Sequence, residues 1–132
     1  MKSFPGIGHV ALTVSDLSVS APWYGRLFGL EPALDEDVEG FHHTVFMLPA
    51  GQGIGLHQFV SQGTGGSFSE FRAGLDHVAF GVAERAELEE WARHLDELGI
   101  EHGGIVDAPY GSGLSFRDPD NIALEFFAPP AS

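Results

Sequence analysis

HVALTV at residues 9–14 returns as HVAFGV at residues 77–82, an offset of 68 that decides how the rest of the chain is read. The same offset lays Ile54-Gly55-Leu56-His57-Gln58-Phe59 on Ile122-Ala123-Leu124-Glu125-Phe126-Phe127, Trp23 on Trp91 and Leu27 on Leu95. Separated matches in one ungapped register mark a duplicated unit. Two modules follow, about 5–60 and 73–129, joined by a Gly- and Ser-rich linker over 61–72. That composition belongs to a flexible connector. At 132 residues the chain is the size of one domain, 1–132, holding both modules.

Each module has the same internal order. The repeated hexapeptide alternates apolar and small or polar residues, the period of a strand. A helix follows, clearest in the second module, where Leu88, Trp91, Ala92, Leu95 and Leu98 share one face and Glu87, Glu90, Arg93 and Glu97 the other. Phe28-Gly29 and Leu98-Gly99 end the two helices on glycine. Pro22 is acceptable only near the first turn of its helix. Further strands are expected at 30–33, 41–48 and 54–60, then at 100–105, 113–117 and 122–127, with turns at Pro49-Ala50-Gly51 and Asp118-Pro119-Asp120-Asn121. The chain therefore reads as α+β, a βαβββ unit used twice. One such sheet leaves a face uncovered, so the two must pair, within one chain or by exchange between two copies in a homodimer.

Composition narrows the function. Six Lys and Arg against 19 Asp and Glu give a formal charge of −13, which makes nucleic acid and anionic membranes poor partners. Cysteine is absent, which removes disulfides and thiolate chemistry. The N-terminus lacks a signal-peptide layout and no run is long enough for a membrane span, so a cytoplasmic protein is expected.

In the repeat register His9 and His77 open equivalent strands, and His57 and Glu125 close equivalent strands. Pairing the modules about a pseudo-twofold axis would gather all four around one divalent ion: Fe(II), Mn(II), Ni(II), Co(II) or Zn(II). Glu125 stands on an otherwise apolar strand face, where a carboxylate needs a partner. His42 and His43 point to opposite faces, so one at most faces the cleft, and His94 and His102 are read as surface residues.

The GHVALTV opening, the WYGRLFGL helix end, LDHVAFGV and the closing FRDPDNIALEFF resemble the vicinal oxygen chelate superfamily of glyoxalases, bleomycin and fosfomycin resistance proteins and extradiol-type dioxygenases. The resemblance covers nearly the whole chain. It implies a cupped mixed sheet around a central cleft, with the metal held by His9, His57, His77 and Glu125. His9, His77 and Glu125 match the two-His, one-carboxylate pattern, whereas His57 stands where the glyoxalases carry Glu. His57 and Glu125 are also the candidates for proton transfer.

With only Lys2, Arg26, Arg72, Arg85, Arg93 and Arg117 as permanent cations, the chain is poorly equipped for glutathione or coenzyme A substrates. A small oxygenated, neutral or aromatic substrate suits it better, walled by Phe46, Phe59, Phe80, Tyr110, Phe116 and Phe127, with loops 61–74 and 107–113 at the pocket mouth. The expected activity is that of a metal-dependent dioxygenase or a glyoxalase-like lyase or isomerase acting on chelated vicinal oxygens. The alternative is a non-catalytic protein that sequesters a bleomycin-like antibiotic. A side chain able to ligate at all four positions favours the enzyme.

Overall fold

The computed structural model describes residues 2–60 and 66–131. Packing divides the chain into two compact units, Met1–Gly65 and Gly66–Ser132. In the first the order is β1 (His9–Thr13), α1 (Leu17–Phe28), β2 (Leu34–Val38), β3 (Phe41–Met47) and β4 (Gly53–Phe59). In the second it is β5 (Val78–Gly81), α2 (Arg85–Glu97), β6 (His102–Ala108), β7 (Gly111–Arg117) and β8 (Ala123–Ala128). Each unit is a four-stranded mixed sheet with one helix. The strand orders are β1-β4-β3-β2 and β5-β8-β7-β6. In each sheet only the first pair, β1 with β4 and β5 with β8, is parallel.

The helices form where the sequence supplies both a cap and an apolar stripe. Asp16 caps α1 by accepting from the Ser18 amide at 3.0 Å, and Gly29 ends it at φ 65°. Leu17, Ser20, Tyr24 and Leu27 are its buried face. Pro22 sits well inside the helix, beyond the first turn to which the sequence would confine it. In the second unit Leu88 and Leu95 are fully buried, and Trp91 stacks on Phe126 with centroids 4.5 Å apart. Burying such apolar surface supplies most of the stability of each helix-on-sheet layer.

Four expectations need correction. The second strand lies at Leu34–Val38 rather than 30–33, because cross-strand partners rescue an acidic Asp35-Glu36-Asp37 run that has little strand propensity of its own. Asp37 faces His42 and Glu36 faces His43 in the β2–β3 register. Likewise β6 begins at His102 and runs to Ala108. Residues 107–113 are no loop: they end β6, turn at Pro109 and Tyr110, and start β7. Finally, the linker is not a free tether from residue 66 onward. The Phe68 amide donates to the Asp120 carbonyl at 3.0 Å and Arg117 pairs with Glu70 at 2.5 Å, tying this stretch to the second unit. Residues 61–65 lie outside the described residues.

The two units also do not superpose at a constant offset. At the start of each helix the offset is 68, since Val19 donates to Asp16 as Glu87 does to Glu84. At the end of each helix it is 70: Leu30 donates to Gly25 as Ile100 does to Leu95. The turns before the last strands keep 70, with left-handed Gly51 answering left-handed Asn121. The last strands keep it too, because the Val14 amide donates to His57 and the Val82 amide to Phe127, both at 2.9 Å. Two extra residues are thus absorbed within the second helix and its cap. From there on, Phe41 answers Gly111, His43 answers Gly113, Val45 answers Ser115, Gly55 answers Glu125 and His57 answers Phe127.

Candidate functional site

In the second unit strand alternation sends Leu124, Phe126 and Ala128 under α2 and turns Ala123, Glu125 and Phe127 to the opposite face. Ala79 of β5 and Ser115 of β7 flank Glu125 on that face, and His77 lies two residues before Ala79. The His77 Nε2 and Glu125 Oε1 atoms are 3.8 Å apart. On its other side His77 Nδ1 contacts the Asp76 carboxylate at 2.7 Å, a contact in which the ring N–H is the donor. The second carboxylate oxygen of Glu125 lies over Gly113, where a Cβ would come within 2.9 Å of it, and Ser115 Oγ donates to it at 3.5 Å.

The first unit builds a different surface on the corresponding face. His57 of β4 is paired with His43 of β3. The His57 ring stacks on Phe41 at 4.7 Å and 8°, and His43 meets it edge-on at 5.5 Å, with Phe59 beside them. His43 Nε2 contacts Glu36 Oε1 at 3.0 Å. Burial among these rings, then the charges of His43 and His9, hold the His57 imidazole below the ordinary histidine range. It is therefore a neutral base at pH 7. His9 is exposed at the start of β1, beside Gly53, where a Cβ would stand 3.2 Å from the His9 Cβ.

The structure thus revises the equivalence that set His57 against Glu125. Gly55 holds the strand position of Glu125, and the His57 ring folds back over it, with Nε2 3.6 Å from where a Cβ at 55 would stand. The reason is the two-residue insertion, which the ungapped comparison could not register.

The donor set of the second unit fits a divalent ion. Ligands at 2.0–2.2 Å from one ion lie about 3 Å apart when cis, and Nε2 and Oε1 are 3.8 Å apart. One imidazole and one carboxylate suit Mn(II), Fe(II), Co(II) or Zn(II). Among the described residues no group of three or more His, Asp or Glu side chains is arranged so that it could hold a metal ion.

The family description for the glyoxalase/bleomycin resistance protein/dioxygenase superfamily matches residues 6–126. The chain belongs to this superfamily. It is 30% identical over 125 residues to the Bacillus subtilis (strain 168) protein named "Putative ring-cleaving dioxygenase MhqA", a match that covers 93% of this chain and 39% of that protein. The chain thus spans about two fifths of that curated relative's length. The crystal structure of a glyoxylase/bleomycin resistance protein/dioxygenase domain from Frankia sp. EAN1pec superposes with a TM-score of 0.87 at 34% identity, over 97% of this chain and 100% of that one. The fosfomycin resistance protein FosX of Listeria monocytogenes, solved with Mn(II) and sulfate, shares the fold with a TM-score of 0.68 at 24% identity, over 97% and 95%. A variant of that FosX protein has also been solved with Mn(II) and 1S,2S-dihydroxypropylphosphonic acid.

Within the superfamily fold the expected wall residues separate by face. Phe59 and Phe127 lie on the same faces as His57 and Glu125. Phe46, Phe80 and Phe116 do not: Phe46 packs edge-on to Phe28 of α1, and Phe80 and Phe116 contact Phe126 beneath Trp91. They are helix-side core. Alternation around Phe80 and Phe116 separates two strand faces but does not tell which of them a helix covers. Phe46 does reach a cavity of about 570 Å³ with Pro22, Arg26, Glu31, Asp35 and Thr44, but it lies between α1 and β2. Tyr110 is exposed at a hairpin tip, its ring 6.4 Å from that of Phe127.

The remaining histidines are accounted for. His42 lies on the helix side between Asp35 and Asp37, which raise its basicity, Asp35 most. His102 pairs with Asp96 at 2.8 Å, and His94 meets Trp91 edge-on. Phe41, Asp76, Gly113 and Ser115 flank His57, His77 or Glu125 and are not singled out by the sequence, which leaves open whether His42 or His43 faces the cleft; it is His43 that lies beside His57. Phe41 and His43 stand on alternate positions of one strand, a signal that becomes useful only once that strand's partner and register are known.

Proposed function

We propose that the chain is a divalent-metal-dependent enzyme that acts on a small oxygenated, neutral or aromatic substrate held through adjacent oxygens, by dioxygenase or lyase/isomerase chemistry. The observation that carries this reading is the His77–Glu125 pair, open on its sheet face, with Nε2 of one facing Oε1 of the other at 3.8 Å. The similarity to a protein named as a ring-cleaving dioxygenase supports an aromatic substrate. His9, His77 and Glu125 are the proposed ligands, in the two-His, one-carboxylate pattern that leaves coordination positions free. When bound, the ion would supply Lewis acidity toward the substrate oxygens.

His57 is assigned to proton transfer rather than ligation because Gly55 holds the position that answers Glu125, and its imidazole, neutral at pH 7, is free to accept a proton. It accepts the proton that a substrate hydroxyl gives up on binding. Phe41 restricts the ring of His57 by stacking, and Phe59 and Phe127 supply apolar surface for the substrate. The formal charge of −13 argues against anionic thiol or acyl carriers as substrates.

The test is metal analysis of protein purified without chelator or a His tag, followed by dioxygen-uptake assays with dihydroxybenzenes after loading with Fe(II) or Mn(II). Glu125→Ala and His77→Ala should lose the metal. His57→Ala should keep it and turn over roughly 100-fold more slowly. Wild-type protein that is metal-free and resists reconstitution would overturn the reading and return the chain to the class that sequesters natural products.

A further inference from the structure

The supports around His77 and Glu125 are absent from the matching places of the first unit. Asp76 precedes His77, whereas Gly8 precedes His9. Gly113 lies under the Glu125 carboxylate and Ser115 donates to it, whereas His43 and Val45 hold those positions on β3. One unit has been fitted residue by residue around an imidazole and a carboxylate, and the other has not.

We propose that Asp76 and Gly113 are positioning residues for this pair, an inference that rests on the metal-site reading above. An ionised carboxylate can only accept, so the 2.7 Å contact of Asp76 Oδ1 requires a proton on Nδ1 of His77. Free histidine in water favours the other tautomer, with the proton on Nε2, which cannot ligate through that atom. Asp76 thus fixes the tautomer and holds the ring's orientation, as carboxylates behind metal-bound histidines do. Gly113 acts on the other partner. Any side chain there would put its Cβ 2.9 Å from Oε2 and 3.2 Å from Cδ of Glu125, and the flexible carboxylate would swing away from His77. Gly113 is not in a left-handed conformation, so its value lies in the room it leaves rather than in backbone freedom.

Two readouts on the full chain test this. Nitrogen-15 NMR of the metal-free protein reports the His77 tautomer without any reference to activity. Wild type is expected to show the Nδ1–H form, Asp76→Ala to lose it, and Asp76→Asn, whose side-chain oxygen can still accept, to retain it. Co(II) titration against a competing chelator then gives affinity, with Asp76→Ala and Gly113→Ala each about 10- to 100-fold weaker than wild type. The Gly113→Ala variant should leave the His77 tautomer unchanged. An unaltered tautomer in Asp76→Ala would overturn the role of Asp76, and unaltered Co(II) affinity in Gly113→Ala would overturn that of Gly113. A tautomer change in a protein that binds no Co(II) would support the positioning by Asp76 while overturning the metal reading itself.

Discussion

The two units share their element order, strand order, turns and helix ends, yet they place opposite residue types at matching backbone positions. Phe41, His43, Val45, Gly55 and His57 of the first stand against Gly111, Gly113, Ser115, Glu125 and Phe127 of the second. At the first four pairs a bulky residue stands against a small one, and at the fifth two rings, His57 and Phe127, correspond. In the first unit the face is a stack of aromatic and imidazole rings with a neutral base among them. In the second, Gly113 leaves space for the Glu125 carboxylate, which faces His77. A duplicated backbone can thus carry two different surfaces with no change of topology: one copy a face of stacked rings, the other a histidine beside a carboxylate.

The sharpest way to break the comparison is to exchange its small and large positions. Gly111 has φ 144°, and a Cβ there would lie 2.3 Å from the Phe127 ring and 2.5 Å from the Ala128 carbonyl oxygen. Gly111→Ala should therefore lower stability by about 3 kcal/mol or more in chemical denaturation, through backbone strain together with overlap. A loss under about 1 kcal/mol would show that the second unit is not packed as described.

Next in size is the turn before each last strand. Asp118 is buried and accepts from the amides of Asp120 and Ile122, both at 2.8 Å, where the first unit has Leu48. Removing the acceptor in Asp118→Ala leaves buried donors unsatisfied and should cost about 2 kcal/mol. An unchanged denaturation midpoint would contradict this.

Titration sharpens the contrast within the first unit. Asp35 and Asp37 raise His42, so its bridges to β2 are intact below pH 6.5 and are lost as pH rises through its higher folded-state value. His57 is lowered, so the unfolded chain takes up its proton first and the contribution is lost as pH falls below 6.5. Proton NMR should find His42 titrating at higher pH than His57, and the reverse order would contradict the described surroundings. In the second unit Asp107, held by Arg85 and Ser112, is lowered to about 2 and should remain ionised through the whole range. The smallest effect belongs to Gly55→Ala. Its Cβ would meet only ordinary contacts at 3.6 and 3.8 Å, so stability should shift by no more than about 1 kcal/mol.

Much of this plan is legible in the sequence because the repeated hexapeptide and the Trp23/Trp91 and Leu27/Leu95 pairs survive in one register. That gives two βαβββ units and the candidates His9, His77 and Glu125. The register of the last strands is not legible, because a helix absorbs two extra residues with little disturbance to its apolar stripe. His57 was thereby set against Glu125 when it answers Phe127. The β2 strand escapes notice because Asp35, Glu36 and Asp37 lack strand propensity and depend on imidazoles from the next strand. Phe46, Phe80 and Phe116 are misread for a third reason: strand periodicity does not say which face is covered by a helix.

The central claim is that His77 and Glu125 hold a divalent metal. Crystals of the full chain grown with Mn(II) or Co(II), measured at the metal's absorption edge, test it most directly. An anomalous peak within about 2.0–2.3 Å of both His77 Nε2 and a Glu125 carboxylate oxygen is the predicted result. A peak bound elsewhere, or none after soaking at millimolar metal, would contradict the claim.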